Sequence, residues 1–503
     1  MSRYLPILIY AVITSLCIPL TAAEKPNVLF ISIDDLNNWV GYLQGHPQAQ
    51  TPNLDRLAKR GVAFTNAHCT TPLCQPSRTA VLTGFAATAT KIFGNGDSFD
   101  HSAYTLLPQY FAKQGYATYG TGKIHHKQSV TKAIFQTSYL PGQRWSPFDS
   151  DEVAYTRQEL PSKATDQPRH VIAKGPAGKR YVLPFNGIPS ERSPQDPKGE
   201  SFDWSPFDLP DNAFGDGKIT DWAIDKITTH DSDQPFFLAA GFYRPHIPLY
   251  APQTYFDLYP LESLVLPETI PDDLADIPSP GKQRALNAVT AGTHAQVTKY
   301  KQWKHAVQAY LASISFIDHQ VGRLLDCVDR SPHQDNTIIV LFSDHGWHLG
   351  EKQAWGKQSG WVHSTQVPLI ICGPGTQTNR ICEQPVSLLD LYPTLTQLAG
   401  LPSPDRDGVS LAKLLQDPLI TTNRVVKTYI NATDYVLSGQ RWRYIRYGDG
   451  SAELYDIESD PREYKNLAGD RSHRKTIEQL HDRVHQTKSR PVPEKRKKRK
   501  RQK

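Results

Sequence analysis

Thr337-Ile338-Ile339-Val340-Leu341-Phe342-Ser343-Asp344-His345-Gly346 decides the fold class. Residues 337–342 are apolar or β-branched without a break, which suits a strand buried on both faces. The run then turns polar at once. Asp344 is too costly to leave unpaired in a core, so the pattern places it at the strand's carboxyl end. Three other stretches repeat the pattern. Residues 27–33 run into Asp34-Asp35, residues 116–119 lead through Gly120-Thr121-Gly122 to Lys123, His125 and His126, and residues 236–240 lead to Arg244-Pro245-His246. Residues 367–371 read as one more strand.

Helical patterns fill the spaces between. Thr51-Pro52 opens a helix over 53–60, with Thr51 as its cap and Pro52 in its first turn. Residues 105–114 and 388–398 read as helices stopped by Gly115 and Gly400. Over 305–328, Val307, Leu311, Ile314, Ile317, Val321, Leu324 and Val328 recur at helical spacing, a core-facing stripe. Strands alternating with helices predict an α/β domain: a mostly parallel central sheet flanked by helices. Residues 127–215 are poor in periodicity and read as long surface loops with minor elements, a length usually functional or mobile, and residues 250–300 are again irregular. Beyond 420, short β runs near 425–430, 442–447 and 452–455 and a helix near 475–486 predict a small antiparallel sheet. The expected division is a catalytic domain over 24–420 and a smaller α+β subdomain over 421–490.

Both ends of the chain differ from its body. Arg3 precedes an apolar run over 4–20, and Thr21-Ala22-Ala23 offers small residues for cleavage. Residues 1–23 read as a secretory signal, because two prolines and a short apolar core argue against a membrane anchor. The expected location is secreted or periplasmic, with no membrane span left after signal removal. Net charge is +6, yet residues 495–503 alone hold eight basic residues, so the remainder is slightly acidic. The 491–503 tail reads as disordered by self-repulsion and able to contact polyanions. An exported protein makes nucleic acid the weakest of those partners. An oxidising compartment permits disulfides, and Cys372 and Cys382, flanking Gly373-Pro374-Gly375, form the best candidate pair.

In such sheets ligands gather at the carboxyl ends of the strands. Asp34, Asp35 and Asp344 would meet there, and three carboxylates call for a divalent cation, calcium or magnesium before zinc. His345 adds a nitrogen donor. Arg78, Lys123 and Lys357 are cations suited to a tetrahedral oxyanion, and the nearby histidines exchange protons near neutral pH.

The stretch Cys74-Gln75-Pro76-Ser77-Arg78, followed by Thr83-Gly84, resembles the signature of the type I sulfatases of the alkaline phosphatase superfamily. The wording of Arg244-Pro245-His246-Ile247-Pro248 and Ser343-Asp344-His345-Gly346-Trp347, with Trp355 and Lys357, is similar to the iduronate 2-sulfatase type. The resemblance implies that a maturation enzyme oxidises Cys74 to formylglycine. It further implies that Asp34, Asp35, Asp344 and His345, with modified Cys74, hold calcium. Arg78 and Lys123 would hold the aldehyde hydrate, and His246 and Lys357 the sulfate and leaving oxygen. The partner histidine stands two residues after Lys123 in arylsulfatases (His125 here) and three after in the iduronate type (His126); the wording favours His126. Gln366 departs from the His or Arg that relatives carry. The expected activity is sulfate release from a sulfated oligo- or polysaccharide. Competing readings are a phosphate or phosphonate ester hydrolase on the same fold and a non-catalytic glycan-binding surface protein.

Overall fold

The computed structural model describes residues 25–141, 145–148, 171–188, 202–230, 233–287 and 292–484. The 1–23 signal, the end of the 421–490 subdomain and the 491–503 tail lie outside the described residues. Eight strands form the central sheet: β1 (Asn27–Ile33), β2 (Val62–Phe64), β3 (Ala117–Gly122), β4 (Thr137–Tyr139), β5 (Phe236–Phe242), β6 (Thr337–Ser343), β7 (Leu369–Cys372) and β8 (Arg380–Cys382). Their order is β8-β2-β7-β6-β1-β5-β3-β4. The four strands β6, β1, β5 and β3 are contiguous and parallel, with Ile33 opposite both Ser343 and Phe242, and Gly122 opposite Gly241. Their carboxyl ends therefore share one edge. Strand β7 runs antiparallel to both neighbours, so the sheet is mixed, though mostly parallel.

Every side chain of β1, β5 and β6 is buried, as continuous apolar runs between two helical layers require. Each buried Leu, Ile or Phe contributes about 1.5–3 kcal/mol. One layer includes α1 (Pro52–Arg60), a helix not anticipated over 215–235, α3 (Gly215–Thr228), and the long α4 (Trp303–Asp329). The opposite layer includes α2 (Cys74–Thr83) and α5 (Leu391–Leu398). The apolar stripe of α4 is core as expected, and the aromatic Tyr310 and Phe316 join it. A four-stranded antiparallel sheet, β9 (Val426–Tyr429), β10 (Tyr435–Ser438), β11 (Trp442–Arg446) and β12 (Ala452–Asp456), follows, with α6 (Arg474–Arg483) against it. No helix among the described residues is long and apolar enough to cross a membrane.

Two expectations are corrected. Thr51 does not cap α1: its hydroxyl accepts from Gly41 N instead. The first-turn amides of Asn53 and Leu54, which have no carbonyl within the helix to bond, are taken by Asp318 of α4, at 2.8–3.1 Å. Burial pushes the Asp318 carboxyl up to about 6. The Cys372–Cys382 pairing also fails. Both residues end strands, but β2 lies between those strands. Two strand spacings, about 9–10 Å, exceed the reach of a disulfide. Cys69, Cys74, Cys327, Cys372 and Cys382 are all free thiols.

Candidate active site

The shared strand edge carries the chemistry. Asp34 and Asp35 leave β1, Lys123 leaves β3, Asp344 and His345 leave β6, and all five are buried. His246 follows β5 and stays partly exposed. Asp35 sits at φ 63°, left-handed backbone that a non-glycine residue adopts at a cost. Tyr310 of α4 holds that turn, donating to Asp35 O at 2.7 Å and accepting from Asn37 N at 2.9 Å. Gly346 is required next to His345, because a Cβ there would lie 2.0 Å from His363 O.

Helix α2 brings Cys74 over this edge at its first turn. Lys357 Nζ lies 3.1 Å and His345 Nε2 3.3 Å from Cys74 Sγ. His126 lies near the same sulfur, and its Nδ1 is buried with no hydrogen-bond partner. Burial alone would push the thiol up, but Lys123, Lys357, His345 and the His126 contact hold it well below its ordinary value. Arg78, one turn along, donates from Nε to Asp344 Oδ2 at 2.7 Å and reaches Asp34 Oδ1 at 3.4 Å. Lys123 pairs with Asp34, and Lys357 with Asp35 Oδ1 at 2.7 Å. Three cations thus face three carboxylates in a dry setting. Against the burial that opposes its charge, Lys123 and Arg78 keep Asp34 ionised, whereas burial pushes Asp344 up to about 6.

Two polar atoms here lack a partner, His126 Nδ1 and, within the carboxylate cluster, Asp35 Oδ2. Asp35 Oδ2 is buried with no hydrogen-bond partner, and His246 Nε2 stands 3.9 Å from it. Ligand atoms of Asp34, Cys74, Asp344 and His345 lie within 4.8 Å of one another, as do those of Asp34, Asp35, Cys74 and His246. An orphaned carboxylate oxygen is costly unless a ligand or ion meets it, so the residues fit a divalent cation.

The sequence-predicted residues therefore converge, with one separation. His125 is fully buried and points away from the sulfur. Its ring accepts from Lys127 N at Nδ1 (3.0 Å), meets Thr79 Oγ1 at Nε2 (3.2 Å) and stacks on Phe99. Burial, reinforced by His126, lowers its pKa to about 3. Gln366 is committed elsewhere, donating to Thr65 O at 2.7 Å and accepting from Asn38. Sequence reasoning assigned no role to Ser77, which donates to Asp344 O at 2.6 Å, or to Ser343, which bridges Leu36 N and His345 O. It also missed Tyr310. Ser77 was within reach because it stands in the Cys74 motif; Tyr310 carries no sequence signal.

A family model described as Sulfatase matches residues 26–401. The chain belongs to the sulfatase family. A second model, N-sulphoglucosamine sulphohydrolase, C-terminal, matches residues 350–490 of this sulfatase. A sulfatase of Formosa agariphila is 36% identical over 467 residues, covering 91% of this chain and 86% of its own. The iduronate 2-sulfatase of Mus musculus is 32% identical over 429 residues, covering 77% of this chain and 71% of its own. A phosphonate monoester hydrolase of Agrobacterium radiobacter superposes with a TM-score of 0.70 at 20% identity, over 92% of this chain and 97% of that one, a likeness of fold alone. As a sulfatase, the protein is a sulfuric ester hydrolase with the alkaline phosphatase-like fold.

Proposed function

We propose that this sulfatase releases sulfate from a sulfated glycan, using a formylglycine made from Cys74 and a divalent cation, calcium before magnesium. The observation that carries the reading is the position of Cys74 Sγ, 3.1 Å from Lys357 Nζ and 3.3 Å from His345 Nε2, beside the carboxylate cluster. A thiol in that set is a soft donor that suits zinc, whereas an oxygen at residue 74 would make the set hard enough for calcium. Asp34, Asp35, Asp344 and His345 are the proposed ligands, with residue 74 completing the shell.

When present, the hydrated formyl group supplies an oxygen nucleophile that a thiol lacks, and the cation supplies Lewis-acid charge to the sulfuryl oxygens. The chain's own residues do the rest. Lys123 and Lys357 hold the anionic sulfuryl oxygens in a water-poor site, where fixed charge counts most. Arg78 binds Asp34 and Asp344 together and orients the first turn of α2. His126, beside the sulfur and partly exposed, gives a proton to the leaving glycan oxygen. His246, close to Asp35 Oδ2, binds a sulfuryl oxygen from the opposite side.

The likeness to iduronate 2-sulfatase makes 2-sulfated iduronate in heparan or dermatan sulfate the first substrate to try, with algal polysaccharides next. Export on the 1–23 signal and maturation by a formylglycine-generating enzyme belong to the same proposal, as does contact of the basic tail with polyanions. The test is sulfate release across defined sulfated oligosaccharides and matched phosphate esters, with mass spectrometry of the residue-74 peptide. Full activity with an unmodified thiol there would sink the mechanism. Faster turnover of the phosphate esters would assign the protein to the other oxyanion.

A further inference from the structure

His125 is buried among polar partners yet touches neither the sulfur nor the carboxylates. The Lys127 backbone N–H only donates, so Nδ1 of His125 must be the acceptor of that 3.0 Å bond. In the neutral ring the proton then stands on Nε2 and is donated to Thr79 Oγ1, 3.2 Å away. Thr79 lies on α2, next to Arg78. The backbone N–H of His125 itself donates to Thr131 Oγ1 at 3.1 Å. The ring stacks on Phe99, 5.4 Å between centroids and 24° between planes. Phe99 ends a loop that also holds α2: Gln75 Nε2 donates to Gly94 O and Asp97 O, and Lys127 Nζ reaches Asp97 O at 3.0 Å. One imidazole thus joins the nucleophile helix, the segment carrying Lys123 and His126, and the loop over 94–99.

We infer that His125 is a positioning residue: held as the Nε2–H tautomer between Thr79 Oγ1 and Lys127 N, it fixes His126 against residue 74 and takes no part in proton transfer itself. The inference rests on the reading of His126 as the leaving-group acid. The bonds of His125 to Thr79, Lys127 and Thr131 fix the backbone on both sides of His126, and misplacing an acid by about 1 Å costs up to about 100-fold in rate.

The test uses the matured full-length protein and a series of aryl sulfates from para-nitrophenyl to unsubstituted phenyl. His125→Phe keeps the stack on Phe99 and removes both hydrogen bonds. It is expected to lower kcat about tenfold by the same factor on every ester, with KM unchanged. His126→Gln is expected to lose more as the leaving group worsens, reaching about 10²–10⁴-fold on phenyl sulfate. Thr79→Val should reproduce the uniform loss, and the double variant with His125→Phe should be no worse than either alone. A leaving-group dependence that steepens in His125→Phe would make His125 the acid and overturn the inference. So would unchanged kcat in His125→Phe and Thr79→Val. Should His125→Phe fail to fold by near-ultraviolet circular dichroism, Thr79→Val alone decides. If the parent protein releases sulfate from none of these esters but does so from a sulfated oligosaccharide, the same variants are compared on that oligosaccharide; release from neither overturns the proposed function and leaves the placement of His125 to be judged alone. The tautomer is then read from ¹⁵N-histidine spectra, where a proton on Nδ1 of His125 overturns the inference and one on Nε2 sustains it.

Discussion

Two clusters of buried charge among the described residues, around Arg443 and around Cys74, are built on opposite rules. Around Arg443 every donor is spoken for. Its Nε donates to Glu463 Oε1 at 2.6 Å, and its two terminal nitrogens reach His68, Ser438, Gly360 O and Thr365. Lys352 next to it is paired with Asp273 at 2.6 Å and with the Glu463 carbonyl. Around Cys74 the same kinds of side chain leave Asp35 Oδ2 without a partner, and the thiol is held far from its ordinary state. A saturated network stiffens the junction between the main sheet and the C-terminal sheet. An unsaturated one keeps a place for a ligand. The difference separates structural from chemical charge where burial alone does not.

The comparison can be broken in graded steps. Cys74→Ala should abolish sulfate release, by on the order of 10⁴-fold or more, with the thermal midpoint unchanged; a large fall in midpoint would make Cys74 a structural residue. Arg443→Met should do the reverse. It strands Glu463 in the interior and should cost about 3–5 kcal/mol in denaturant unfolding, while activity per folded molecule is kept. The double replacement with Glu463→Leu should recover much of that loss, since an apolar pair leaves no uncompensated charge. Asp35→Asn should weaken calcium binding by calorimetry at least about tenfold with little change in fold; undiminished affinity would remove Asp35 from the ligand set.

A smaller effect tests a third kind of buried charge. Asp318, which caps α1 from a distant helix, is pushed from 3.8 to about 6. Its folded form keeps a proton that the unfolded chain releases. Its contribution to stability is therefore present below 3.8 and lost as pH rises through about 6. Asp318→Asn should flatten the stability profile in that window and cost about 1 kcal/mol of capping; an unchanged slope would place the titration elsewhere.

Much of the site was legible in the chain. Each polar cluster directly follows an apolar run, and the only way to keep carboxylates and lysines out of the core is to put them at strand ends. What the pattern did not carry was contact between distant segments. Asn431 shows this at small scale. Its side chain accepts from Thr433 N at 2.8 Å and Asp434 N at 2.7 Å, a local turn, yet Asp434 in turn receives Arg284 from 150 residues away. The helix at 215–228 was missed because its apolar positions are diluted by Gly, Asp and Lys, and packing against α4 and the sheet, rather than periodicity, stabilises it.

By itself the sequence determined the α/β class, the strand-end placement of Asp34, Lys123, His246 and Asp344, and the Cys74 motif. The first two are matters of local hydrophobicity, which alternates or runs on along the chain and needs no partner to be read; the Cys74 motif was read from its resemblance to a family signature. The tertiary structure alone decided that β6, β1, β5 and β3 are neighbours, that Asp318 rather than Thr51 caps α1, and that β2 separates Cys372 from Cys382. It also turned His125 toward Thr79 and His126 toward the sulfur. Two adjacent residues on one loop have the same chemistry in sequence, and only the surfaces packed against each side of that loop set them in different surroundings.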